Sequence, residues 1–275
     1  MTHRLFNDAK LNIAIKAARR ASRIITRAAR DLDILEIQKK DVHDYVTNVD
    51  REAEDAIVEI LREATPDFAI IAEERGVIPP NQGGGEWRWI VDPLDGTTNF
   101  MHGFPQYAVS IALARQQQVE LGVIYDPNRN ELFAAARGQG AYLNEKRLRV
   151  APRRKLDDAL IGTGFPFRRF QDADSYLAIF RELMQKTAGI RRPGAASLDL
   201  AYVAAGRLDG FWEFGLAPWD MAAGSLLIVE AGGLVTDREG EADYLDKGHI
   251  VAGAPKIFPA LLSIVQAHLN PPLSA

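Results

Sequence analysis

The 275-residue chain has no cysteine. This excludes disulfides, thiolate zinc sites, iron–sulfur clusters and cysteine nucleophiles together. Histidine is scarce as well. His3, His43, His102, His249 and His268 are the only five, and none pair at H-x-x-x-H spacing. A metal held by this chain is therefore expected to take oxygen ligands. No window offers 18 apolar residues in a row, and Met1–Asp8 has no apolar signal core. The expectation is a cytoplasmic protein without a membrane span. Internal repeats and low-complexity tracts are absent too.

What is present is ordinary in total and uneven in place. With 47% apolar and 25% charged residues, the composition is that of a globular protein large enough for a sizeable core. The net charge is −4. Residues 1–30 nevertheless hold eight Lys/Arg against Asp8 alone, which gives +7, so the rest of the chain is acidic. Apolar positions recur at helical spacing through Ile13, Ala17, Ala21, Ile24 and Ala28, predicting an amphipathic helix over 5–30 with the cations outside. A polar stretch follows at 36–44. A second helix is expected over 51–64, with Asp50 as its N-cap.

The period then changes. Short apolar runs predict strands at 68–72, 87–91, 107–114, 119–125 and 131–136, with a loop over 76–86. These read as an antiparallel sheet flanked by the two helices. From about residue 150 strands and helices alternate: strands at 159–163, 190–192, 209–213, 234–236 and 249–252, helices at 173–186, 197–205, 220–231 and 256–268. The expected division is 1–150, an α+β half with helices and an antiparallel sheet, and 151–275, an α/β half.

The chemistry concentrates in Ile90-Val-Asp-Pro-Leu-Asp-Gly-Thr-Thr-Asn-Phe100. A strand ends in Asp92 and Asp95, with Pro93 and Gly96 shaping the turn. One reading is an Asp-Gly turn with a helix cap. The other is an oxygen cage for Mg²⁺, formed by both carboxylates and the Leu94 carbonyl, with the Gly96 and Thr97 amides beside it as an anion cradle. Glu73-Glu74 at a strand end, Asp220 before an apolar helix, and Asp44-x-x-Thr47-x-x-Asp50 each read as a cap, a solvated acid or a further ligand. Convergent carboxylates would repel by about 4 kcal/mol per pair at 4 Å, so they imply a divalent ion or a raised pKa.

Glu73-Glu74, Trp89 to Phe100 and Pro218-Trp-Asp-Met-Ala-Ala-Gly224 resemble, in order, the signatures of the inositol monophosphatase family. Gly194 to Gly206 and Asp209 to Glu213 are most similar to its bacterial SuhB-type members. The resemblance implies a layered αβαβα sandwich of the sugar-phosphatase type. It makes Glu73, Asp92, the Leu94 carbonyl, Asp95 and Asp220 ligands for two or three Mg²⁺. It makes Asp95, Gly96, Thr97 and Asp220 phosphate-side contacts, and places Arg191, Gly194, Ala195, Ala196 and Glu213 around a polyol ring. Glu73, Thr97 and Asp50 would activate water for in-line attack. The implied activity is hydrolysis of myo-inositol 1-phosphate, with fructose 1,6-bisphosphate, 3′-phosphoadenosine phosphates and histidinol phosphate as alternative substrates. Lithium inhibition and a homodimer are further implications. So is a role as an antitermination partner of RNA polymerase, for which the basic first helix offers a surface.

Overall fold

Asp8 opens the first helix by accepting hydrogen bonds from the N–H groups of Lys10 (2.8 Å) and Leu11 (3.2 Å). The structure is a computed structural model that describes residues 8–41, 44–81, 85–166 and 170–269. Helix α1 (Ala9–Ala28) buries Leu11, Ala14, Ala18, Ala21 and Ile25 and leaves Lys16, Arg19, Arg20, Arg23 and Arg27 exposed, the expected amphipathic split. Residues 5–7, where the helix was expected to begin, lie outside the described residues. The polar stretch expected next contains a short antiparallel ribbon of β1 (Ile37–Asp41) and β2 (Asp44–Thr47).

Helix α2 (Asn48–Ala64) corrects one expectation. Its N-cap is Thr47, not Asp50. Thr47 Oγ1 accepts from the Val49 N–H (3.1 Å), while Asp50, three residues in, accepts back from the Thr47 N–H (2.8 Å). A capping box thus places Asp50 inside the first turn.

The first sheet holds β3 (Ala69–Ala72), β4 (Gly76–Ile78), β5 (Trp87–Asp95), β6 (Ala108–Arg115), β7 (Gln118–Asp126), β8 (Glu131–Ala136), β9 (Gly140–Leu143) and β10 (Lys146–Arg147). Their order is β10-β9-β8-β7-β6-β5-β3-β4. Two points differ from expectation. Residues 76–78 form an edge strand paired with β3 rather than loop. Because β4 takes that edge, the chain must return to the opposite side of β3, so β3 and β5 run parallel in an otherwise antiparallel sheet. A short helix, α3 (Thr97–Met101), follows β5.

The second half gives β11 (Leu160–Thr163), α4 (Ala173–Lys186), β12 (Gly189–Arg191), α5 (Ala196–Ala204), β13 (Gly210–Phe214), α6 (Pro218–Glu230), β14 (Leu234–Thr236), α7 (Tyr244–Lys247), β15 (His249–Gly253) and α8 (Phe258–Ala267). The strands order as β12-β11-β13-β15-β14, with β11 parallel to both neighbours and β15 antiparallel to both of its own.

Alternation along the strands explains the layers. Val91, Ile111 and Leu113 face α1 and α2, whereas Ile90, Ala112 and Ala114 face α5 and α6. In the second sheet Phe211 and Ile250 point toward α5 and α6, and Trp212 and Val251 toward α4 and α8. The α5–α6 pair therefore lies between two sheets, which is why α6 buries every residue from Asp220 to Ile228. The result is a five-layer αβαβα sandwich, as expected. Sheet and helix meet closely at Gly122 on β7, where an added Cβ would lie 2.8 Å from the Ala223 Cα of α6. Among the described residues no helix is long and apolar enough to cross a membrane.

Candidate metal and phosphate site

In a regular strand residues three apart face opposite sides. Asp92 and Asp95 escape this because the β5–β6 register slips between them: Asp92 pairs with Ser110 and Asp95 with Ala108. Pro93, with no N–H to give, sits in that bulge. The Leu94 N–H turns back to Asp92 Oδ1 (3.0 Å). Both carboxylates thereby reach the same end of the sheet. Gly96 follows with φ +95°, a left-handed conformation that starts α3; an added Cβ would also meet the Gln106 carbonyl at 2.8 Å.

The third carboxylate arrives on α6. Ser110, opposite Asp92, donates its hydroxyl to the Trp219 carbonyl (3.1 Å) and so ties the first turn of α6 to the sheet. One reading of Asp220 made it the N-cap of this helix. Ala217 holds that position, and Asp220 lies three residues in, accepting from the Ala217 N–H (2.7 Å) through Oδ2. Asp92, Asp95 and Asp220 each present an oxygen, and the three lie within 4.8 Å of one another.

Bringing these groups together has an electrostatic cost. Burial is the first cause that pushes Asp92 well above the usual carboxylate range, and Glu73, Asp95 and Asp220 add to it. Asp95 is pushed up to about 7 by burial and by Asp220, against the Ser197 hydrogen bonds that favour its anion. Asp95 Oδ2 accepts from the Ser197 N–H (2.8 Å) and from its hydroxyl. Glu73 shares a hydrogen bond with Asp92. Four acids without a cation are strained by several kcal/mol. Hard oxygen donors at this separation fit a divalent ion such as Mg²⁺.

Thr97 and Asp50 form the neighbouring pair. The Thr97 hydroxyl lies 2.8 Å from Asp50 Oδ1 and 3.1 Å from the Leu94 carbonyl. Its single proton goes to the carboxylate, which leaves the Thr97 lone pairs to accept from a water. Asp50 is buried, and burial raises its pKa against the bonds from Thr47 and Thr97.

Glu73, Asp92, Leu94, Asp95, Gly96, Thr97 and Asp220 all line one cavity of about 450 Å³. Gly194 lines it as well. Ala195 and Ala196 are buried at the start of α5, where the Ala196 N–H bonds Asp95. Arg191 is not among the lining residues; its guanidinium donates to the Ile190 carbonyl (3.0 Å). Arg192 lines the cavity instead and lies over the Phe165 ring at 4.5 Å. Glu213, on β13, is not among the lining residues either. Its carboxylate sits where a Cβ on Gly164 would lie, 2.1 Å away, and it also lies near Asp199 and Tyr176.

Trp89 and Trp212 are fully buried, so they pack rather than stack on a ligand. Sequence reasoning missed Ser197 and Asn99. The Asn99 amide reaches the carbonyls of Gln106 (2.7 Å), Pro193 (2.9 Å) and Gly194 (3.2 Å), joining the α3 turn to the strand-to-helix loop before α5. Ser197 at a helix start was the local signal available for the first; Asn99 had none.

The inositol monophosphatase family model matches residues 7–270. The chain belongs to that family. It is 57% identical over 265 residues to a protein of Pseudomonas aeruginosa named Nus factor SuhB, covering 96% of this chain and 98% of the relative. It is 49% identical over 263 residues to an inositol-1-monophosphatase of Mesorhizobium japonicum, covering 96% and 98%. The crystal structure of the extragenic suppressor protein suhB from Bartonella henselae superposes with a TM-score of 0.91 at 46% identity, covering 94% of this chain and 99% of that one. The expected SuhB-type resemblance thus stands.

Proposed function

We propose that this protein is a Mg²⁺-dependent phosphomonoesterase acting on myo-inositol 1-phosphate and related polyol phosphates. The observation that carries the reading is the convergence of Asp92, Asp95 and Asp220 within 4.8 Å, beside the Asp50–Thr97 pair. Glu73, Asp92, the Leu94 carbonyl, Asp95 and Asp220 would hold two or three Mg²⁺. Bound there, Mg²⁺ supplies charge neutralisation of the phosphate and a water of lowered pKa.

The chain's own groups do the rest. Thr97 would accept a hydrogen bond from the attacking water while donating its own to Asp50, which fixes the water's orientation. Glu73 takes the water's proton as general base. Gly96 and Thr97 contact the phosphate at the start of α3. The product alcohol leaves on the side of Asp220 and the α5 start, where Gly194, Ala195 and Ala196 border the polyol. Glu213, an acceptor-only carboxylate, suits a vicinal diol. Arg191 is proposed at the rim. In this reading residues 1–150 carry most of the ligands, and 151–275 supply Asp220 and the ring contacts. The test is release of phosphate from inositol 1-phosphate with Mg²⁺ and its loss with EDTA.

A second reading rests on α1. Lys16, Arg19, Arg20 and Arg23 line a groove of about 410 Å³ that Ile60 of α2 closes. With the Pseudomonas relative named a Nus factor, this surface supports a cytoplasmic role beside RNA polymerase and antitermination factors. Charge reversal at Arg19, Arg20 and Arg23 would then abolish partner binding and leave phosphatase activity intact. The family resemblance also favours a lithium-sensitive homodimer, which sedimentation and inhibition assays test.

A further inference from the structure

Glu54 is fully buried on α2, yet no role above uses it. It lies four residues after Asp50, so both acids leave the same face of the helix. Asp50 reaches Thr97. Glu54 reaches the turn that follows Glu73. Its Oε2 accepts from the Glu74 N–H at 2.8 Å, across 20 residues of sequence. Its Oε1 is buried without a hydrogen bond, 3.7 Å from Arg75 Nε. Asp55, next on the helix, accepts from the Arg75 guanidinium.

The turn is tight. Ala72 pairs with Gly76 across it, which leaves three residues to reverse the chain. On the strand side, the Glu73 N–H is held by the Val91 carbonyl (3.2 Å). On the far side the peptide that joins Glu73 to Glu74 presents its N–H to Glu54. That peptide ties the turn carrying Glu73 to α2. Loss of that acceptor would release the far side of the turn and with it the backbone that carries Glu73.

We propose that Glu54 is a positioning residue for Glu73: by holding the Glu74 N–H, it aims the Glu73 carboxylate at the Asp92–Asp95–Asp220 cluster. One helix face then sets both halves of the site, Thr97 through Asp50 and Glu73 through Glu54. The inference rests on the metal reading given under the proposed function.

The test reads metal binding without turnover. Mn²⁺ affinity is measured by electron paramagnetic resonance on the substrate-free protein and on Glu54→Met, Glu54→Gln, Glu73→Gln and Glu54→Met/Glu73→Gln. Outer groups that orient a ligand are worth about 10- to 100-fold in metal affinity. Glu54→Met is expected to bind Mn²⁺ at least about tenfold more weakly. Glu54→Gln keeps an acceptor oxygen for the Glu74 N–H and should restore most of that loss. The double variant should bind no more weakly than Glu73→Gln alone, because Glu54 acts only through Glu73. A purely structural role gives additive losses instead, and additive losses overturn the proposal. So does parental affinity in Glu54→Met. If Glu54→Met does not fold, as melting in EDTA will show, Glu54→Asp takes its place. That variant pulls the acceptor back by one methylene and must weaken Mn²⁺; unchanged affinity there also overturns the proposal. Failure of the parent itself to bind Mn²⁺ removes the metal reading together with this inference, whereas the other failures leave that reading standing.

Discussion

Replacing Asp95 by Asn should stabilise the metal-free protein while destroying its activity. Asp95 is buried beside Asp220, and its pKa is pushed up from 3.8 to about 7. The raised value means that ionising Asp95 in the fold costs about 4 kcal/mol at pH above 7. The sign follows from the direction of the shift. The contribution of this group to stability is full below 3.8, the unfolded-chain value, and is lost as pH rises through about 7. The Asn side chain carries no charge and still offers an oxygen to the Ser197 N–H. In EDTA at pH 8, Asp95→Asn should therefore melt above the parent by roughly 5–8 °C, at about 2 °C per kcal/mol for a chain this long. At pH 5 the folded parent holds the proton while the unfolded chain is ionised, so only about 1.6 kcal/mol of the penalty remains and the difference should fall to roughly a third. In Mg²⁺ at a hundred times its dissociation constant the order should narrow or reverse, since the parent gains about 2.7 kcal/mol and the variant does not. Thermal unfolding followed by circular dichroism, at both pH values with EDTA and with Mg²⁺, gives all four comparisons. Equal melting of the two proteins in EDTA at pH 8, or the same advantage at pH 5, would refute the electrostatic reasoning.

Three further outcomes are expected. Thr97→Val removes the hydroxyl between water and Asp50 and should lower kcat by about 10²- to 10⁴-fold with little change in the Mg²⁺ requirement, which steady-state kinetics checks. Gly164→Ala forces the Glu213 carboxylate to move, so the ratio of kcat/KM for inositol 1-phosphate to that for fructose 1,6-bisphosphate should fall; an equal loss on both substrates would argue against a diol role for Glu213. Because Asp95 must lose its proton to bind metal, the Mg²⁺ concentration for half-maximal activity should rise by about tenfold per pH unit below about 7 and level off above it, as titrations between pH 5.5 and 8.5 would show.

Elements with strong local signals were legible in the sequence. Helix α4 runs over 173–186 as its apolar spacing predicts, and β8 over 131–136. The β9–β10 hairpin was not foreseen. Its turn residues, Asn144 (φ 43°) and Glu145 (φ 69°), adopt the left-handed conformations that such hairpins need, but Glu stands where Gly usually announces them. Strand β4 was hidden because the Pro- and Gly-rich stretch beyond it reads as loop. Asp50 and Asp220 stand three residues past the true caps, Thr47 and Ala217, because an Asp at a helix start serves equally as N-cap or as a third helical residue that accepts back from the N-cap N–H.

The site shows the same limit. Asp92 and Asp95 announce themselves in one short run, because Pro93 and Gly96 mark an unusual turn. The pairing of Asp50 with Thr97 spans 47 residues, and that of Asp95 with Ser197 spans 102. Neither has a local pattern; the first came only through family resemblance and the second not at all. Contacts made by folding β5 against α2 and α5 are tertiary, and a single sequence carries no periodic trace of them. Arg192 rather than Arg191 on the cavity wall is a similar case, decided by which side of the chain faces in as β12 ends.

Phosphate release from a small panel bears most directly on the whole account. The substrates are myo-inositol 1-phosphate, fructose 1,6-bisphosphate, a 3′-phosphoadenosine phosphate and histidinol phosphate, each with Mg²⁺, with EDTA and with Mg²⁺ plus Li⁺. The account predicts Mg²⁺-dependent turnover, highest on inositol 1-phosphate, abolished by EDTA and lost in Asp95→Asn. Folded protein that releases no phosphate from any of the four, or releases it equally well in EDTA, would contradict it.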